Sequence, residues 1–264
     1  MIDLYLLALE RLGPQDIALF AAVLDAEENA RAARLRFAHD RTAFIAAHAL
    51  ARFALSRARP AVAPVAWRFR APPLGKPVAH AEGGAGVSFS LSHTAGLVAV
   101  VVGEEAPLGV DVEAIVPATA TLDLAAAFCA PAEHAALAAL ADGEARARRF
   151  FTLWTLKESL LKAAGLGLSQ APQTVQFAVD PLAGDPPAGD SLAVTQLSGA
   201  ARGNWHLWSG VTPPRHCLAV CAEGEARPHL SAYAVGDGAA LAAGAPLPHA
   251  SLALSTCRSR LSTV

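Results

Sequence analysis

Three short runs rich in β-branched residues follow one another in the middle of the chain, and they constrain its fold more than any other feature. They are residues 87–91, 97–102 and 108–112. Their length and composition are typical of β-strands. Apolar residues at helical spacing on either side predict long helices, one capped by Asp40 and one covering residues 144–164. This order of elements predicts an α/β protein.

The second half of the chain contains the same kinds of predicted elements as the first, without detectable sequence repetition. After the helix, a connection rich in proline and glycine leads to four further predicted strands, residues 174–179, 191–197, 204–210 and 216–221. From residue 223 onward the chain is mostly Ala, Gly, Pro and Ser. We therefore treat residues 223–264 as a tail of unknown order.

Composition excludes several classes of protein. Of the 264 residues, 53% are hydrophobic and 17% are charged, which is typical of a packed globular protein. A net charge of −2 argues against a strongly basic nucleic-acid binder and against a polybasic membrane-surface protein. No apolar run is long enough to span a bilayer, and the first residues carry acids without a basic leader, so we expect neither a membrane span nor a signal peptide. The four cysteines form no Cys-x-x-Cys pair and indicate a reduced, cytoplasmic protein.

Lysine is rare in this chain. It supplies three of the 21 cationic side chains, Lys76, Lys157 and Lys162, and arginine supplies the others. Lysine carries a compact ammonium group, whereas arginine carries a planar guanidinium group. The lysines are therefore candidates for sites that require a point charge. Codon bias could produce the same ratio.

The segment 150–162 carries the most informative pattern. Residues four apart share one face of a helix, so Trp154, Glu158 and Lys162 form a single stripe. An ordinary surface Glu–Lys pair would also fit this spacing. The leucines around the rest of the helix predict that it is largely buried, and charges on a buried helix are costly unless they are paired or bound to a ligand.

Two carboxylates project from one predicted strand. Asp111 and Glu113 alternate with valines, so they lie on the same face. Like charges this close repel each other unless a cation lies between them, and a hard divalent ion such as Mg²⁺ suits oxygen ligands. An acidic strand end in solvent is the alternative interpretation.

Two weaker motifs precede this pair. Ser92 and His93 stand where a predicted strand enters a polar turn, and Lys76 stands between a glycine and a proline. Hydroxyl, imidazole and ammonium groups suit phosphate contacts, although a structural turn would explain the first motif equally well.

Together the segments resemble those of the Sfp-type 4′-phosphopantetheinyl transferases. The matching stretches are Gly75-Lys76-Pro77, Ser92-His93-Thr94, Gly109-Val110-Asp111-Val112-Glu113 and Trp154-Thr155-Leu156-Lys157-Glu158-Ser159-Leu160-Leu161-Lys162. Gly165-Leu166-Gly167-Leu168-Ser169 is similar to a loop that follows in the family. The resemblance covers residues 1–222 in layout.

The resemblance implies a fold of two similarly built halves related by pseudo-twofold symmetry, residues 1–106 and residues 107–222. It further implies a monomer in which coenzyme A and Mg²⁺ bind in the cleft between the halves.

The resemblance also implies the reaction, in which the 4′-phosphopantetheine arm of coenzyme A passes to a serine of an apo acyl or peptidyl carrier protein. The products are the holo carrier and adenosine 3′,5′-bisphosphate. Mg²⁺ would be held by Asp111, Glu113 and Glu158, and Glu158 would also take the serine proton. Lys162 would contact the phosphates that react, and Lys157 would assist from the adjoining position. Six residues would bind the coenzyme's other groups: Lys76, Ser92, His93, Arg31, Arg36 and Arg41.

Two other functions use the same residues. A non-catalytic coenzyme A-binding protein would share the scaffold without performing the transfer. A Mg²⁺-dependent phosphohydrolase would use the three acids and would need no carrier protein. A nucleic-acid partner is not expected, because the sequence shows neither a basic face nor interleaved aromatic residues.

Overall fold

The structure, a computed structural model, divides into two compact units. It describes residues 1–70, 76–104, 106–166, 171–179, 192–197, 203–213, 215–250, 252 and 254–258. The first unit comprises residues 1–73, 77–106 and 229–251, and the second comprises residues 74–76, 107–228 and 252–264. The C-terminal region therefore contributes to both units.

Groups of helices and groups of strands follow one another along the described chain. The helices are α1 (Pro14–Val23), α2 (Ala26–Ala33), α3 (Ala38–Ala58), α4 (Leu122–Ala126), α5 (Pro131–Ala138), α6 (Gly143–Ala163) and α7 (Gly238–Ala242). The strands are β1 (Ile2–Ala8), β2 (Arg68–Arg70), β3 (Val78–His80), β4 (Val87–Thr94), β5 (Leu97–Glu104), β6 (Leu108–Ala114), β7 (Val175–Val179), β8 (Leu192–Leu197), β9 (Trp205–Thr212), β10 (His216–Glu223), β11 (Leu230–Val235) and β12 (Leu254–Arg258). The predicted mixture of helices and strands is confirmed.

The first unit is built on a four-stranded sheet in the order β11-β1-β5-β4. Its central strand β5 is buried from Leu97 to Val102, which explains why this run is continuously apolar instead of alternating. Helix α3 packs against β4 and β5, and Leu50 and Phe53 lie in the core that forms between them. The two-residue connection between β4 and β5 includes Gly96 at φ 87°, a conformation that favours glycine.

Helix α3 begins at Ala38 with Phe37 at the cap position, so the prediction that Asp40 caps it is wrong by three residues. Asp40 instead lies in the first turn, where a carboxylate interacts favourably with the positive end of the helix. The tail contributes β11, which pairs in parallel with β1, and α7, which contacts α1.

A charged network is buried inside the first unit. Arg52 is completely buried and pairs with Glu28 and, at 3.5 Å, with Asp25, while it donates a hydrogen bond to the Trp67 carbonyl. His48 Nδ1 lies 2.8 Å from Glu28 Oε1. Burial alone would raise the pKa of Glu28, but hydrogen bonds involving His48, the Asp25 backbone N–H and Arg52 lower that pKa to about 2. The ionised carboxylate therefore connects α2 to α3.

We expect Glu28→Gln to lower the free energy of unfolding by about 3 kcal/mol at pH 7, the equivalent of its pKa depression from 4.5. Because the pKa is depressed in the folded state, this stabilisation is complete above pH 4.5 and is lost as the pH falls towards 2. Urea unfolding of both proteins across this range measures the difference. Glu27→Gln, at an exposed position on the same helix, is the control and should change stability by less than about 0.5 kcal/mol. Equal stability of the Glu28 variant and the parent protein at pH 7 would contradict the assignment.

The second unit is also built on a four-stranded sheet, in the order β12-β9-β10-β6, with every neighbouring pair antiparallel. Helix α6, with 21 residues the same length as α3, packs against β6 and β10. Leu153, Leu156 and Leu160 of α6 are all buried in the core of this unit. Each unit thus pairs one four-stranded sheet with one long helix, and the pseudo-twofold relation stays a prediction.

Within the described residues, no helix combines the length and the apolar composition that a bilayer span requires.

Candidate active site

Helix α6 approaches strand β6 so closely at Gly109 that the strand has no room for a side chain there. A Cβ atom at Gly109 would lie 1.8 Å from the Ser159 carbonyl oxygen and 2.7 Å from the Ala163 backbone nitrogen. Glycine permits this backbone-to-backbone contact. The residues that follow Gly109 on β6 are consequently held beside the last two turns of α6.

This contact brings Asp111 to the stripe predicted on α6. Lys162 Nζ lies 2.6 Å from Asp111 Oδ1 and donates a second hydrogen bond, of 3.2 Å, to the Val110 carbonyl. The Asp111 side chain is buried, whereas 28% of the Lys162 side chain is exposed. An ammonium from the helix and a carboxylate from the strand therefore meet at the protein surface.

Glu158 lies one helical turn before Lys162. Burial raises the pKa of Glu158, the negative charge of Asp111 raises it further, and Lys162 opposes both effects. Two carboxylates from separate elements are thus close enough to repel each other. We infer from this repulsion that a cation would be favoured beside them.

The third predicted acid, Glu113, is half-buried two residues after Asp111 on the same strand. Within the described part of the chain, no three His, Cys, Asp or Glu side chains are grouped so as to hold a metal ion. The structure therefore unites Asp111 with Glu158, and the complete set of three ligands stays a prediction.

The structure places the ammonium of Lys157 in a buried ion pair. Its side chain is completely buried, and its ammonium lies 2.8 Å from Glu133 Oε2 while it donates to the carbonyls of Pro172 and Val175. In this structure the ammonium thus has three oxygen partners and is buried. Lys157 and Glu158 are neighbours in sequence but lie about 100° apart around the helix, and the assisting role of Lys157 stays a prediction.

Lys76 lies in the second unit, where its ammonium donates a 2.8 Å hydrogen bond to the Leu108 carbonyl at the start of β6. Burial lowers the pKa of Lys76 to about 8. The preceding residue of the predicted motif, Gly75, lies outside the described residues, as do residues 167–169 of the downstream loop.

The other predicted coenzyme ligands lie in the first unit. Ser92 is buried and His93 is exposed at the end of β4. Arg31 and Arg36 are exposed and lie over the rings of Phe44 and Phe37, 5.3 Å and 5.1 Å from the ring centroids.

Arg41 is in the first turn of α3 and donates a 3.1 Å hydrogen bond to the Leu35 carbonyl. Three arginines are thus grouped around the connection from α2 to α3.

Sequence reasoning missed two features of the site. Gly109 belongs to the acidic motif, but its close contact with α6 could not be predicted, because the contacting residue, Ser159, lies fifty residues further along the chain. Glu133 carries no functional signal in the sequence, and in the structure its carboxylate accepts a hydrogen bond from the Ala130 N–H at the start of α5.

Comparison with known proteins identifies relatives of this chain. A family model described as the 4′-phosphopantetheinyl transferase superfamily matches residues 107–221, which include β6 and α6. The chain is 33% identical over 150 residues to a putative 4′-phosphopantetheinyl transferase of Synechocystis sp., a match that covers 57% of this chain and 60% of the relative. It is 34% identical over 164 residues to the 4′-phosphopantetheinyl transferase HetI of Nostoc sp., covering 61% of this chain and 67% of the relative.

A phosphopantetheinyl transferase of Thraustochytrium sp. matches over a longer stretch. It is 29% identical over 230 residues, which are 81% of this chain and 77% of that protein. Since the family model covers the segment that holds Asp111 and Glu158, and the similarity to HetI extends across two thirds of that protein, the chain belongs to the 4′-phosphopantetheinyl transferase superfamily, as its motifs predicted.

Proposed function

We propose that this protein is an enzyme that transfers the 4′-phosphopantetheine arm of coenzyme A to a serine of an apo acyl or peptidyl carrier protein. The products are the holo carrier and adenosine 3′,5′-bisphosphate, and the reaction depends on Mg²⁺, as in holo-acyl-carrier-protein synthases. The observation that carries the proposal is the meeting of Asp111, Glu158 and Lys162 within the segment that the family model matches. We further propose that the protein acts as a monomer in the cytoplasm.

The carboxylates fit a magnesium ion. Asp111 and Glu158 provide hard oxygen donors. Burial and, after it, the negative charge of Asp111 raise the pKa of Glu158, and a divalent cation would relieve the repulsion between the two carboxylates. Glu113, on the same strand as Asp111, is proposed as the third ligand. When bound, Mg²⁺ would neutralise charge that develops on the pyrophosphate of coenzyme A.

Glu158 and Lys162 supply the remaining chemistry. We assign Glu158 as the general base, because a carboxylate has two oxygens, so that one could hold the metal while the other accepts the serine proton. The serine oxygen forms a bond to the phosphorus next to the pantetheine arm, and the serine proton passes to Glu158. The bond from that phosphorus to the oxygen of the bisphosphate breaks, and Lys162 stabilises the departing negative charge.

Binding of the coenzyme is assigned to cations and polar side chains. Lys162 and Asp111 already form a pair, so the lysine can meet a phosphate without losing its position. The proposed ligands of the nucleotide and its phosphates are Lys76, Ser92, His93, Arg31, Arg36 and Arg41.

We expect the KM for coenzyme A to rise above pH 8. The pKa of Lys76 is lowered to about 8, so its ammonium is charged at pH 7 and loses its charge as the pH rises through that value. By pH 9, one pH unit higher, the KM should increase by up to about tenfold. Steady-state kinetics at saturating carrier protein measure the profile.

Lys76→Arg is the matched variant, because arginine stays charged throughout this range. The rise in KM should disappear in this variant. If the two proteins show the same pH profile, Lys76 does not bind the coenzyme's phosphates.

The proposal is tested by incubating the purified protein with coenzyme A, Mg²⁺ and an apo carrier protein. Mass spectrometry should show that the carrier gains one phosphopantetheine group, with equimolar release of adenosine 3′,5′-bisphosphate. A carrier whose acceptor serine is replaced by alanine is the control. Binding of coenzyme A without a mass gain on any of several acyl and peptidyl carriers would instead support the non-catalytic alternative.

A further inference from the structure

The buried pair of Lys157 and Glu133 is not explained by the proposed chemistry. The side chain of Lys157 is completely buried and that of Glu133 is 1% exposed, and their charged atoms lie 2.8 Å apart. Two charges removed from water are costly to bury, and they stay buried only when other polar groups satisfy them. This pair has such partners.

Each member of the pair contacts more than one element. Glu133 accepts hydrogen bonds from the Ala130 N–H at the start of α5, at 2.7 Å, and from the Phe177 N–H on β7, at 2.8 Å. Lys157 donates to the carbonyls of Pro172, at 3.1 Å, and of Val175 at the start of β7. The pair therefore connects the middle of α6 to α5 and to the segment that leads into β7.

The position of this connection along α6 links it to the site. Lys157 and Glu158 are consecutive on the helix, so their side chains point about 100° apart. When Lys157 is fixed towards α5 and β7, the rotation of α6 about its own axis is fixed as well. The direction in which Glu158 points follows from that rotation.

We infer that Lys157 and Glu133 form a positioning pair that orients Glu158 towards Asp111, and that Lys157 does not contact the coenzyme. This inference rests on the proposed function for its effect on rate, but the burial of Lys157 can be tested in the free protein.

The three lysines of the chain allow a direct test by amine acetylation. The native protein is treated with acetic anhydride, with and without coenzyme A and Mg²⁺, and the modified peptides are quantified by mass spectrometry. Lys162 should react in the free protein and be protected by the coenzyme. Lys157 should stay unmodified under both conditions and react only after unfolding. Reaction of Lys157 in the native protein, with protection by coenzyme A, would overturn the inference.

Paired substitutions test the effect on catalysis. Lys157→Met leaves the buried charge of Glu133 without its partner, so we expect a lower unfolding midpoint and a fall in kcat of about a hundredfold, as when catalytic groups are displaced by about 1 Å. Adding Glu133→Gln removes the unpaired charge and should restore both the midpoint and most of kcat. If Lys157 instead contacts the phosphates, the double variant should be stable but still inactive, and its KM for coenzyme A should be raised.

The two proposals fail in different ways. If the parent protein transfers no phosphopantetheine, the proposed function is wrong. The acetylation experiment still decides whether the ammonium of Lys157 is inaccessible to solvent. If the parent protein is active and the stable double variant is not, the positioning role is wrong and the proposed function stands.

Discussion

Replacing Asp111 or Glu158 by alanine should reduce the rate of phosphopantetheine transfer by about a thousandfold or more. Each change removes a carboxylate that we assign to the metal, and Glu158→Ala also removes the general base, a group whose contribution alone is typically about 10²–10⁴-fold. The fold should persist, because the partner that Asp111→Ala releases, Lys162, is partly exposed and can be solvated. Initial rates of mass gain on the carrier and thermal unfolding measure the two properties separately.

Glu10→Ala is the control for these variants. It removes the same charge from an exposed position to which we assign no role. Its rate should match that of the parent protein. Transfer by Asp111→Ala or Glu158→Ala at a rate similar to the control would show that the roles assigned to these carboxylates are wrong.

Replacing Gly109 by alanine should be severely destabilising and should also reduce transfer. A Cβ atom would meet the Ser159 carbonyl at 1.8 Å, and real contacts of this kind essentially never fall below 3.0 Å, so the strand and helix must separate by about 1.2 Å. Because both atoms belong to the backbone or are fixed to it, no side chain can rotate to relieve the contact. We expect a loss of about 3 kcal/mol or more in the free energy of unfolding, and an additional fall in kcat of about a hundredfold as Asp111 moves away from Glu158.

Gly143→Ala provides a matched control on the first residue of α6. A Cβ atom there meets nothing within 4 Å. Alanine also favours the helix, so this variant should be as stable as the parent protein or more stable by up to about 1 kcal/mol. Urea unfolding and carrier modification are measured on both variants. If Gly109→Ala behaves like Gly143→Ala, the close contact between β6 and α6 does not position the site.

Much of the fold was predictable because its signals are local. The runs that became β4, β5 and β6 are β-branched and bounded by turn residues, and α6 ends at Ala163 shortly before Gly165, whose φ of 69° suits glycine. The parallel pairing of β11 with β1 could not be predicted, because these strands are more than two hundred residues apart and the tail has few large apolar residues.

The candidate site was predictable to the extent that periodicity determines which side chains share a face. The spacing of Glu158 and Lys162 predicted one stripe, and the structure brings that stripe to Asp111. The complete burial of Lys157 was not predictable, because leucines surround most of α6 and the sequence does not show which of two adjacent charged residues is buried. The partner that decides this, Glu133, lies on another helix.

The central claim is that a carboxylate of strand β6 and a carboxylate of helix α6 share one divalent cation. Mn²⁺, a paramagnetic substitute for Mg²⁺, allows this to be measured by electron paramagnetic resonance in the presence of coenzyme A, without any turnover. The parent protein should bind one Mn²⁺ ion, and Asp111→Asn and Glu158→Gln should each weaken that binding by about tenfold or more. Mn²⁺ affinity that is unchanged in Glu158→Gln would contradict the claim.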